Sequence, residues 1–201
     1  MRKLKNGLVF GSFVLAIGLL IPASAQAQGV GGGLVGGVVT SQIDGDTWGG
    51  FNKWGYMVGG FAYCDFNEHL ALQIEILQSR RGSREVQTDF GQVTLSYIDV
   101  PVLFQYKREL SKGRTAIAEG GLSANLLLAA KTGFRPLILD QTENFARLSS
   151  ELHLGATVYF TENLGIYGRW QLGITNLNNS FTRRPWLTIH CLSAGVRLRF
   201  Q

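Results

Sequence analysis

Ser149, Glu151 and His153 occupy alternate positions of the segment SSELHLG, so in an extended strand their side chains share one face. A hydroxyl, a carboxylate and an imidazole are the groups of nucleophilic catalysis, provided the base reaches the nucleophile. Their spacing argues against it. Residues i and i+4 of a strand lie about 13 Å apart, too far for His153 to take a proton from Ser149 directly. His190 and Cys191 suggest a metal pair, but strand neighbours point to opposite faces, and no metal-ligand spacing is present. No catalytic residues, metal or cofactor are expected, and the chain does not read as an enzyme.

A second set of chemically capable residues is harder to place. Glu75 lies between two isoleucines in QIEIL, and Asp99, Glu119, Glu151, Arg169 and Arg197 likewise interrupt apolar alternation. A charge in a buried strand must be paired or must lose its charge. Whether these side chains are buried depends on what lies on each side of the strands that carry them.

Those strands are the dominant pattern. Period-two alternation predicts strands over about 29 to 39, 54 to 65, 69 to 80, 93 to 107, 115 to 129, 148 to 160, 164 to 175 and 187 to 200. The clearest pair is LHLGATVYF and LGIYGRWQLGIT, joined by TEN as a hairpin. Long connections (SQIDGDTWGGFNK, RGSREVQTDFGQ, Lys131 to Arg147, NLNNSFTRRP) alternate with short ones (DFNEH, RELSKGR, TEN), so the long ones share one end. Pro101 inside a strand predicts a bulge or a relaxed ladder there. Cys64 and Cys191 both fall within strands and are expected to remain unpaired thiols.

The first residues differ in kind. Arg2, Lys3 and Lys5 precede an apolar run ending at Ile21, with small residues at Ala23 and Ala25, the three-part pattern of a cleaved signal peptide. The expected division is a leader over 1–25 and a single domain over 26–201. The whole chain has 19 Lys and Arg against 14 Asp and Glu, so losing three cations lowers the net charge from +5 to +2. With 16% charged residues, well below the roughly 25% of soluble domains, no nucleic-acid partner is expected.

Sorting the strands by parity decides between environments. One face carries Leu70, Leu72, Ile74 and Ile76, then Ile98 to Tyr106, and the aliphatic residues of the later strands, with no charge from the third strand to the eighth. The other carries Gln73, Glu75, Asp99, Gln105, Glu119, Ser123, Asn125, Glu151, His153, Arg169, Gln171, Arg197 and Arg199. Its abundance of Gly, Ser, Asn and Gln suits packing rather than a solvated surface. Aromatics at the short-turn end of the apolar face (Phe61, Tyr63, Phe104, Tyr106, Phe160, Phe200) predict an interfacial girdle. The chain is therefore expected to be all-β, an eight-stranded antiparallel up-and-down transmembrane β-barrel, with apolar residues toward lipid and charges in a side-chain-filled lumen. Within that lumen Arg169 is expected to bridge Glu75 and Glu119, with Asp99 and Glu151 higher and Arg197 lower.

ALQIEILQSRRG and LSYIDVPVLFQYK resemble the third and fourth strands of the PorT-like outer-membrane β-barrel proteins of Bacteroidetes, eight-stranded barrels of the OmpA and OmpX type. The resemblance extends from Gly29 to Phe200. It implies outer-membrane residence and, through the namesake, a link to protein secretion. The long loops are the expected functional surface. Trp48, Phe51, Trp54, Arg183, Arg184 and Trp186 are suited to lipopolysaccharide phosphates or a protein partner, or to an interfacial belt of aromatics and snorkelling cations. The alternatives are a lipid-modifying outer-membrane enzyme and a soluble lipocalin-like ligand-binding barrel.

Overall fold

Alternation becomes nine strands in the computed structural model, which describes residues 29–45, 50–85, 91–111, 113–134, 137–178 and 187–200. They are β1 (Gly29–Asp44), β2 (Lys53–Asp65), β3 (Leu70–Arg84), β4 (Gly91–Leu110), β5 (Arg114–Phe134), β6 (Leu137–Asp140), β7 (Leu148–Tyr159), β8 (Leu164–Gly173) and β9 (Thr188–Phe200). All pairings are antiparallel. Each of the eight long strands pairs with two other long strands, and β1 with β9 closes the ring. Closure leaves the barrel without a sheet edge, the condition for a sheet to stand in lipid.

The short turns are held by local chemistry. At the β2–β3 turn Asn67 Oδ1 accepts from the amides of His69 and Leu70, both at 2.8 Å. Thr161 Oγ1 accepts from the Leu164 amide at 3.0 Å in the β7–β8 turn. Gly113 supplies the left-handed conformation, φ 67°, at the end of β4–β5. At the opposite end β5 runs on beyond β7, and the longest connection folds back as β6 on the tip of β5. This addition was not foreseen, because four residues are too few to show a period. At the end of β6, the exposed Asp140 carboxylate accepts from the Thr142 hydroxyl and amide, which hold it below the usual carboxylate range.

The outer face is apolar over its middle: Ile76 is 64% exposed, and Leu122, Leu154, Ile166 and Val196 are also open. Phe104, Tyr106, Phe160 and Phe200 face outward at the short-turn end as a girdle requires. Phe61 and Tyr63 correct the expectation: Phe61 is buried in the lumen against Met57, Leu77 and Tyr167, with Tyr63 beside it. The second strand is in the opposite phase to the one assumed, so Trp54, Tyr56 and Val58 are its outward residues. Charge is also not wholly absent outside, since Arg80, Arg108 and Arg114 are exposed on outward positions, each near a strand end.

Pro101 leaves the β3–β4 register unchanged but coincides with a gap in its ladder between Ile74↔Val102 and Leu77↔Asp99. The bulge lies elsewhere, where Ser96 faces Ala129 and Tyr97 faces Leu127. It re-phases the upper part of β5, turning Ala130 and Thr132 inward. Cys64 and Cys191 are both free; Cys64 has outward parity and Cys191 is buried in the lumen.

Lumen glycines let the strongly coiled strands approach. A Cβ at Gly121 would overlap the Val102 carbonyl oxygen, whereas one at the neighbouring outward Gly120 would meet Leu154 Cδ2 at an ordinary 3.5 Å. Gly121→Val should therefore cost about 3 kcal/mol or more of stability, and Gly120→Val less than about 1 kcal/mol. The folded fraction, read from heat-modifiable gel mobility across a urea series, measures the difference.

Candidate functional site

The lumen is built from cross-strand rows. Glu119 on β5 faces Gly155 on β7, and Gly155 faces Arg169 on β8. Because Gly155 carries no side chain, Arg169 can lie across it: its Nε and Nη2 donate to Glu119 Oε1 at 3.0 and 2.8 Å. Its Nη1 and Nη2 donate to the two oxygens of Glu75, both at 2.8 Å, from β3 on the far wall. Arg197, expected to lie lower, reaches the same group. It donates to Glu75 Oε1 at 3.0 Å and to Glu119 Oε1 and Oε2 at 2.9 and 2.7 Å. Gln73 and Gln105 donate to the carboxylates from below, and both guanidiniums pass over the Tyr167 ring. Two anions and two cations are thus interlocked, with Glu75 and Arg197 at 0% exposure.

Asp99 and Glu151 do not join this group. Their cation is Arg81, whose Nη2 donates to Asp99 Oδ1 at 3.0 Å and Nη1 to Glu151 Oε2 at 2.9 Å, with Tyr97 under the guanidinium. Arg81 was missed because the third strand was ended at residue 80. The signal was present: six residues on from Glu75, it has the lumen parity. Above it Val39, Ile43, Leu95, Leu127, Leu177 and Ile189 form an apolar layer across the long-loop end. At the other end Arg199 lies between the rings of Tyr63 and Tyr159, 4.6 and 4.0 Å from their centroids. Each of those tyrosines covers a cross-strand glycine, Gly31 and Gly165.

The possible catalytic set separates. His153 Nε2 is 2.8 Å from Ser123 Oγ on the adjacent strand, while Ser149 Oγ has no hydrogen-bond partner. The Ser–His contact is buried in the lumen, with Ser123 and His153 at 4% and 2% exposure. Among the described residues no cluster of three or more His, Cys, Asp or Glu side chains could hold a metal. Of the loop and rim candidates, Trp54 is 68% exposed on the outer face and Phe51 is exposed beside it. Trp48, Arg183, Arg184 and Trp186 lie outside the described residues.

A closed antiparallel ring with an apolar belt outside and ion pairs inside defines an outer-membrane β-barrel protein. The chain belongs to the family described as outer membrane protein beta-barrel domain, which it matches over residues 25–179, and it resides in the outer membrane. Neisserial surface protein A is similar in fold, with a TM-score of 0.54 at 14% identity over 86% of this chain and 100% of that one. The attachment invasion locus protein Ail of Yersinia pestis has a TM-score of 0.48 at 15% identity, covering 85% and 98% of the two chains. The N-terminal β-barrel domain of Pseudomonas aeruginosa OprF gives 0.45 at 13%, covering 87% and 100%. Comparison with curated proteins finds no match.

Removing one member of the lower group strands a buried opposite charge. Arg169→Ala should destabilise the barrel by about 3–5 kcal/mol. Arg169→Lys should also lose stability, since one ammonium cannot reproduce the fork that grips Glu75 while reaching Glu119. Urea unfolding of both variants in detergent micelles provides the measurement.

Proposed function

We propose that the protein is a non-catalytic outer-membrane scaffold whose lumen is sealed and whose long loops bind a partner outside the barrel. The observation that carries this reading is the filled lumen: Glu75, Leu95, Asn125, Cys191 and Arg197 are all at 0% exposure. A barrel of eight strands has just enough interior for side chains, which leaves no open path for transport in this reading. Binding is left to the loops, which in this class of barrel are extracellular where they are long.

The six charges of the lumen, Glu75, Asp99, Glu119, Glu151, Arg169 and Arg197, have a structural role in this reading: with Arg81 they fix the packing of the wall that holds the loops. In this reading Trp48, Phe51, Trp54, Arg183, Arg184 and Trp186 supply the contacts to lipopolysaccharide phosphates or to a protein partner. The resemblance of ALQIEILQSRRG and LSYIDVPVLFQYK to PorT-like proteins supports a partner connected with protein secretion. Residues 1–25 are removed as the leader and 26–201 form the barrel domain.

Two measurements test the proposal. Purified protein in planar bilayers should give no steady open-pore conductance; porin-like conductance would sink the sealed-scaffold reading. Replacing Trp54, Arg183, Arg184 and Trp186 with alanine should leave heat-modifiable mobility intact yet abolish cross-linking of the protein to its partner in intact cells. Ser149→Ala and His153→Ala should leave lipid A unchanged in mass spectra, whereas loss of a lipid A modification would favour the lipid-modifying enzyme.

A further inference from the structure

The two charged groups of the lumen differ in balance. Glu75 and Glu119 meet two guanidiniums, but Asp99 and Glu151 share Arg81 alone among their described salt-bridge partners. The upper group carries two negative charges against one positive. Arg81 occupies Asp99 Oδ1 and Glu151 Oε2, leaving Glu151 Oε1 buried without a hydrogen-bond partner and Asp99 Oδ2 with only the neighbouring Ser79 hydroxyl within its surroundings. Both amide atoms of Asn125 and the hydroxyl of Ser149 also lack a hydrogen-bond partner. These residues adjoin: Asp99 faces Asn125, Asn125 faces Ser149, and Ser149 precedes Glu151 by two positions on one face. All four are at most 2% exposed. Unpaired oxygens and an excess charge in one small buried region are both costly unless something supplies positive charge there.

We propose that Asp99, Asn125, Ser149 and Glu151 form a binding site for one monovalent alkali cation, sodium or potassium, in the upper lumen. The donors are all oxygens, the set preferred by hard cations. One positive charge brings the sum with Arg81 and the two carboxylates to zero, whereas a divalent ion would leave an excess of one. Two carboxylates without a converging Cys or second His are a poor set for zinc. His153 nearby is turned to Ser123, Tyr97 and Cys191 adjoin Arg81, and Arg169 and Glu75 of the lower group also act on Asp99. The apolar layer above and the interlocked ions below close the region, so the cation is captured as the barrel forms.

The test is to refold the full chain into detergent micelles in sodium, potassium or N-methylglucamine chloride at one ionic strength. The thermal midpoint should be several degrees higher in at least one alkali salt and should rise with its concentration as for a single site. Asp99→Asn removes the excess charge and should abolish the difference between salts. Ser149→Ala keeps the charge and should move the response to higher salt, which preserves the test if Asp99→Asn fails to fold. Equal wild-type midpoints in all three salts would overturn the proposal. Equal midpoints that climb as pH falls would overturn it too, and would assign the neutralising charge to a proton held between Asp99 and Glu151.

Discussion

A backbone amide or carbonyl facing hydrocarbon has no water to turn to, so every such group in the wall must find a partner within the sheet. That requirement accounts for the closure of β1 on β9 and for the pairing of each long strand on both sides. It also reverses the usual sorting of side chains. With lipid outside, Ile74, Ile76 and Leu122 gain nothing by turning inward, and the lumen becomes the one compartment where Glu75 or Arg197 can be satisfied within the bilayer.

Moving charges into so narrow a space costs several kcal/mol per ion, which attraction offsets only when geometry and additional hydrogen bonds are good. The lower group meets that condition through guanidinium forks. Arg169 and Arg197 approach the same two carboxylates from adjacent strands, and Gln73, Gln105 and Thr157 take up further polar capacity. Such a lattice ties β3 and β5 to β8 and β9 across the lumen. Its contribution lies in fixing one arrangement of the wall, since apolar filling of equal volume would stabilise the interior as well. The upper group has the same components in a less balanced ratio, with unpartnered oxygens on three neighbouring strands.

The lumen also separates proximity from chemistry. Ser123 and His153 are in hydrogen-bond contact, but both are buried in the packed interior. Ser149 and His153, with Glu151 between them on the same face of one strand, stay apart. Cross-strand packing gives His153 its partner, a residue 30 positions away in the chain.

Alternation alone determined much of this protein: the eight long strands, the grouping of loops by length, and the face on which Glu75, Asp99, Glu119, Glu151, Arg169 and Arg197 lie. A strand side chain has only two directions, so parity within one segment carries that information locally. The phase of the second strand was not legible, because its glycines and aromatics occupy both parities and leave Phe61 and Tyr63 without an apolar contrast. Only the tertiary structure decided that Arg197 joins Glu75 and Glu119, that Arg81 takes Asp99 and Glu151, and that the bulge falls at Ser96 and Tyr97 rather than at Pro101. Those outcomes depend on register and on side-chain reach across a closed ring. Both are fixed only when distant strands meet.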